Sequence, residues 1–69
     1  MTALASIKMT FDNFEVTGEV TQLDGAWHRV TVQLKEEGAL RETYADDVAG
    51  LYSARKKMMA FVQEMHAMA

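Results

Sequence analysis

Apolar and polar residues alternate through most of the first 45 positions of the chain. Ile7, Met9 and Phe11 share one parity, as do Phe14, Val16 and Val20, then Val30, Val32 and Leu34, then Leu40 and Tyr44. Period-two patterning with turn-forming residues between the runs predicts strands that each bury one face. The runs fall at about 4–11, 14–22, 26–35 and 39–45.

Turn lengths then fix the registers, because a slip of one residue carries every side chain to the opposite face. Asp12-Asn13 as a two-residue loop pairs Phe11 with Phe14, Met9 with Val16 and Ile7 with Gly18, and Asn tolerates the positive φ such a turn requires. A three-residue loop at Leu23-Asp24-Gly25 sets Phe14 opposite Leu34, Val16 opposite Val32 and Gly18 opposite Val30. It also gives favourable pairs on the outer face, Glu19 with Arg29 and Thr17 with Thr31. A loop of the same kind at Glu36-Glu37-Gly38 pairs Leu34 with Leu40 and Val30 with Tyr44. The three turns agree on one buried face. The expectation is a four-stranded antiparallel meander with His28 at the edge of the core.

Beyond residue 45 the apolar spacing changes to three and four. Asp46-Asp47 are suited to cap a helix and to complement its positive end, which predicts a helix over about 47–67. Its apolar arc is wide enough for two seams. The sequence assigns Val48, Leu51, Tyr52, Met59 and Val62 to the sheet. That leaves Ala54, Met58, Phe61, Met65 and Met68 as a heptad-like seam for another chain, most simply a twofold copy. Gly50 and Ala54, four apart, would allow close approach there. Arg55 falls in the sheet-facing stripe and Glu42 has inward parity, so the two are expected to pair, a lone buried charge being very costly. The predicted fold class is α+β, ββββα, with the helix across one sheet face.

Size limits what this fold can do alone. Sixty-nine residues make one domain, 1–69, and a chain this short buries only about 60% of its unfolded surface. With no cysteine, disulfides and thiolate metal sites are excluded, and oligomerisation is the remaining reinforcement. His28 and His66 lack a paired ligand pattern, so no metal and no cofactor is expected. Net charge is −3 with pI near 5.2, which argues against a general nucleic-acid coat or a binder of anionic membranes. The opening MTALASIK is too short and too weakly apolar for a signal peptide, and no apolar run approaches a membrane span. The expected compartment is the cytoplasm.

No catalytic residue is predicted. Turn chemistry and capping account for Glu36-Glu37 and Asp46-Asp47. There is no phosphate-cradling glycine loop, and Ser6 and Ser53 have no partner histidine nearby in sequence. On the outer sheet face, Trp27 points outward and, with Arg29 and Arg41, is the candidate surface anchor.

These features predict a non-enzymatic interaction module, homodimeric through its helix, that regulates or inhibits a larger protein. Its size and type are frequent among accessory proteins of phages and other mobile elements. A structural subunit of a larger assembly would carry the same surface signature. The ββββα order is also similar to the transcriptional-coactivator fold, a resemblance of topology that implies single-stranded nucleic-acid binding across the outer face. Such binders rely on basic tracks with stacking aromatics. Here the outer face has one aromatic, and the basic run Arg55-Lys56-Lys57 lies on the helix.

Overall fold

A computed structural model describes residues 3–68, so the ends of the expected 1–69 unit lie outside the described residues. Four strands, β1 (Ala5–Phe11), β2 (Phe14–Gln22), β3 (Trp27–Glu36) and β4 (Ala39–Ala49), precede one helix, α1 (Leu51–Met68). The strands form a single antiparallel sheet in the order β1-β2-β3-β4. The helix packs on one face of it, which is the α+β ββββα architecture the alternation implies. No described helix is long and apolar enough to cross a membrane.

The first hairpin has the expected register, with Phe11 opposite Phe14, Met9 opposite Val16 and Ile7 opposite Gly18. The other two registers differ from expectation. Leu23 N–H donates to the Trp27 carbonyl (2.9 Å) and Trp27 N–H to the Asp24 carbonyl (3.0 Å). The second loop is therefore Asp24-Gly25-Ala26, with Gly25 at φ +57. Val16 faces Leu34, Gly18 faces Val32 and Val20 faces Val30, while Arg29 faces Thr21 rather than Glu19. The displacement is two residues, which preserves parity and leaves the buried set unchanged.

The third turn contains Glu37 and Gly38, both at positive φ (52 and 82), as a two-residue hairpin turn demands. A bulge at Leu34/Lys35 then leaves Arg41 without a partner and shifts the pairing. As a result Leu40 sits opposite Lys35 and is 55% exposed, not buried against Leu34. Tyr44 faces Val32 instead of Val30.

β4 also runs further than predicted. Asp46 and Asp47 lie opposite Val30 and Arg29 inside the strand, so they do not cap the helix, which starts at Leu51 rather than near 47. Gly50 makes the corner. Its φ of +90 is a conformation that side-chain-bearing residues avoid. Its N–H donates to the Ala26 carbonyl (2.7 Å), and its carbonyl accepts the first helical bond, from Ala54 N–H (3.0 Å). The same Ala26 carbonyl accepts from Nδ1 of buried His28 (2.7 Å), so this histidine ties the β3–β4–α1 corner. It faces Gln22 and Val48, not Val20.

The core is Val16, Val20, Val30, Val32 and Leu34 from the sheet with Ala54, Met58, Val62 and Met65 from the helix. The helix lies chiefly over β2 and β3. The helix packs tightly over Gly18, where an added Cβ would stand 3.0 Å from Met58 Cγ, 3.2 Å from Val62 Cγ2 and 3.3 Å from Ile7 Cγ2.

Candidate interaction surfaces

The helix is turned the other way from the sequence expectation. Ala54, Met58 and Met65, assigned to a partner, are buried in the core, and Phe61 is half-buried with its ring 3.5 Å from that of Tyr44. Only Met68 of that seam is exposed, at 63%. The stripe assigned to the sheet is mostly open: Leu51, Tyr52, Arg55 and Met59 are exposed, while Val62 is buried and Val48, which lies in β4 rather than the helix, packs half-buried against the core. A homodimer through the Ala54–Met68 seam is thereby overturned, since its central residues already serve the chain's own core. Gly50 and Ala54 are likewise a left-handed corner and a core residue, not a contact pair for another helix.

One signal in the sequence pointed to this orientation. The stripe that packs contains no charged residue, whereas the open stripe contains Arg55. A buried arginine would have required a partner, and Glu42 does not supply one. Glu42 and Arg55 are both exposed, and no ion pair joins them among the described residues. Glu42 lies opposite Leu34, not Val32, on the edge strand.

Ring contacts place the two flanks of the helix. Phe61 lies over Tyr44 of β4, and Lys57 reaches Asp46 of β4 (2.7 Å). On the other flank, His66 meets Phe11 of β1 edge-to-face at 4.5 Å. At 100° per residue, Tyr52, Arg55 and Met59 share the His66 flank, the β1 side. Tyr52 is 75% exposed, with the Lys56 ammonium 5.4 Å from its ring centroid.

β1 itself is only partly covered. Ile7, Met9 and Phe11 point to the helix side yet remain half-buried, unlike their fully buried neighbours Val16, Val20, Val30 and Val32.

The predicted anchor residues on the outer face do not form one site. Trp27 is 52% exposed, and Leu23, hydrogen-bonded to it across the turn, is exposed as well. Arg29 is held by the Asp47 carboxylate directly across the ladder, Nε–Oδ1 2.9 Å and Nη2–Oδ2 3.3 Å. That hydrogen bond, with the attraction of the same carboxylate, raises the Arg29 pKa further. Arg41 lies at the opposite end of the sheet and pairs with Glu36 (2.7 Å). Between them the face is hydroxyl-rich, with a shallow hollow of about 390 Å³ lined by Ser6, Lys8, Thr17, Glu19, Thr31 and Gln33.

The inward carboxylate of Asp46 is compensated from the helix. The Lys57 hydrogen bond lowers its pKa against the opposing effect of burial, assisted by the Asp47 N–H (3.0 Å) and Tyr44. Lys57 is raised in turn, first by the same hydrogen bond. A carboxylate with a lowered folded-state pKa contributes stability above its unfolded value and loses it as pH falls through the folded value. Asp46→Asn is therefore expected to lower the urea midpoint at pH 7. The difference from the parent should close as pH drops below the ordinary carboxylate range, about 4. A difference independent of pH would show that the ion pair does not act on stability.

No family model, no curated protein and no solved structure matches this chain.

Proposed function

We propose that this chain is a non-enzymatic protein-binding module of the cytoplasm, engaging and regulating a larger protein through the helix flank of Tyr52 and Met59, with Leu51 exposed at the start of the helix. One observation carries the reading. Tyr52 is 75% exposed with Leu51 and Met59 each 38% exposed beside it, on a helix whose core contacts are complete without them. Aromatic residues that offer large area at small entropic cost dominate protein recognition sites. Arg55 and Lys56 on the same flank suit a partner whose rim is acidic.

The test compares the parent with Tyr52→Ser/Met59→Ser. A protein retained by the parent from extracts of the native host is purified and titrated by calorimetry. The double variant should weaken its binding about 30-fold or more, the measure of a hot spot worth about 2 kcal/mol. Its own thermal midpoint should barely move, because neither side chain closes the core. Equal binding by parent and variant would overturn the reading. Tight binding of a single-stranded oligonucleotide with steep salt dependence would replace it with nucleic-acid recognition across the outer face.

A further inference from the structure

We infer that β1 is a self-pairing edge, through which two copies join into one continuous eight-stranded sheet centred on Met9. The sheet has two edges, and they are built differently. β4 is guarded by the devices that keep edges from pairing: a bulge at Arg41, the inward charge of Asp46, and the charged side chains of Arg41, Glu42 and Asp47. β1 has only one of these, the exposed charge of Lys8. Its seven residues, ASIKMTF, carry one charge, no proline and no bulge. In an antiparallel ladder every second residue of an edge strand turns its N–H and C=O away from the neighbour, so β1 presents an unsatisfied row.

The side chains of β1 say what fits there. An added strand must place apolar residues on the helix side, next to half-buried Ile7, Met9 and Phe11, and polar residues on the outer side. β1 of a second copy does both. Pairing about Met9 sets Met9 against Met9, Ile7 against Phe11 and Lys8 against Thr10. Each Lys8 already pairs with Glu15 of its own copy (3.4 Å). In this register it lies opposite the Thr10 that neighbours the other copy's Glu15, so the two ion pairs lie near each other across the axis with no like charges face to face. Pairing about Lys8 would set two ammonium groups face to face, which is unfavourable. Pairing about Ile7 would match Met9 only with Ala5 and leave Phe11 uncovered.

The arrangement also closes. A twofold contact uses the same patch on both copies, consumes both unguarded edges and leaves a guarded β4 at each end. Specific dimers bury about 600–1,000 Å² per copy, roughly 13–22% of the 4513 Å² accessible on this chain, so the contact must include the half-open apolar row as well as the backbone edge. With strands about 4.8 Å apart and each helix over β2–β3, the two helices would stand about 19 Å apart across the axis, twice the 8–10 Å of packed helices. The two helices therefore do not pack on each other, and their Tyr52–Met59 flanks, on the β1 side, line an open groove between them. The dimer rests on β1 alone, so this inference and the partner reading can fail separately.

Sedimentation equilibrium of the parent chain should show about twice the 7.7 kDa of one copy at high micromolar concentration. Amides of β1 should exchange more slowly as concentration rises. Because the chain has no cysteine, single replacements map the contact under diamide oxidation. Met9→Cys should cross-link nearly completely, since residues opposite each other in an antiparallel pair have Cα atoms about 4.5–5.5 Å apart, within disulfide reach. Ile7→Cys, about 14 Å from its copy at 3.4 Å per residue, should not, nor should Tyr52→Cys. A parent that remains one copy at 1 mM would overturn the inference, as would cross-linking at Ile7→Cys or Tyr52→Cys in place of Met9→Cys.

Discussion

Gly18→Leu should lower the thermal midpoint by about 10–25 °C, the equivalent of about 3 kcal/mol of overpacking in a domain this small. The ground is the approach of helix to sheet. At Gly18 a single Cβ already meets Met58, Val62 and Ile7 at 3.0–3.3 Å, and three further carbons must displace the helix. Gly18→Ala is a different case. Its Cβ needs a few tenths of an ångström from flexible side chains, and reduced freedom of the unfolded chain offsets part of the strain, so the net change should stay within about 1 kcal/mol. The contact can be tested directly by combining Gly18→Leu with Met58→Ala. Removing Met58 alone should cost about 2–3 kcal/mol by leaving a cavity. In the double variant the leucine enters that space, and the total should fall short of the sum by about 1 kcal/mol or more. Strict additivity in urea titrations would show that position 18 does not meet Met58.

The stripe that meets Gly18 is where sequence and structure part. Alternation predicted four strands, the inward set of the first three and the first register, because Phe11, Met9 and Ile7 leave only one pairing across Asp12-Asn13. In the fourth strand Leu40 and Glu42 were expected inward and are exposed. Nor could the alternation see a two-residue slip at the second turn, since moving Val16 from Val32 to Leu34 keeps every side chain on its face. The bulge at Arg41 was hidden for another reason. The two-residue turn before it needs Glu37 at positive φ, a conformation adopted at a cost by residues other than glycine and asparagine, so a longer loop without a bulge looked easier. Asp46-Asp47 resembled a cap, but β4 carries them past that point to pair with Lys57 and Arg29. Once the strand runs to Ala49, Gly50 becomes the corner and the helix enters from a different place. The two seams are both apolar, so hydrophobicity alone could not choose between them. Arg55 was the residue that could.

The choice of seam has its sharpest consequence at Met58. If the Ala54–Met68 seam faced outward, Met58→Glu would leave a folded chain with a changed surface. Met58 is instead 4% exposed between Gly18 and the helix axis, and a carboxylate there has no partner among the core residues around it. Losing the methionine's burial and desolvating a charge should together cost on the order of 4 kcal/mol or more, against a total of about 3.5–10 kcal/mol for a domain of 69 residues. The variant should therefore be largely unfolded at pH 7 by circular dichroism. A buried carboxyl has its folded-state pKa raised, so the penalty belongs to the ionised form and should ease as pH falls through that value. Partial refolding between neutral and mildly acidic pH is the expected signature, and Met58→Gln should lack it. Tyr52→Glu is the counterpart on the open flank and should shift stability by no more than about 0.5 kcal/mol. Should the two glutamates exchange outcomes, with Tyr52→Glu unfolding the chain and Met58→Glu leaving it intact, the helix would have to be turned by roughly a third of a revolution and the open flank would be the Met58 seam after all.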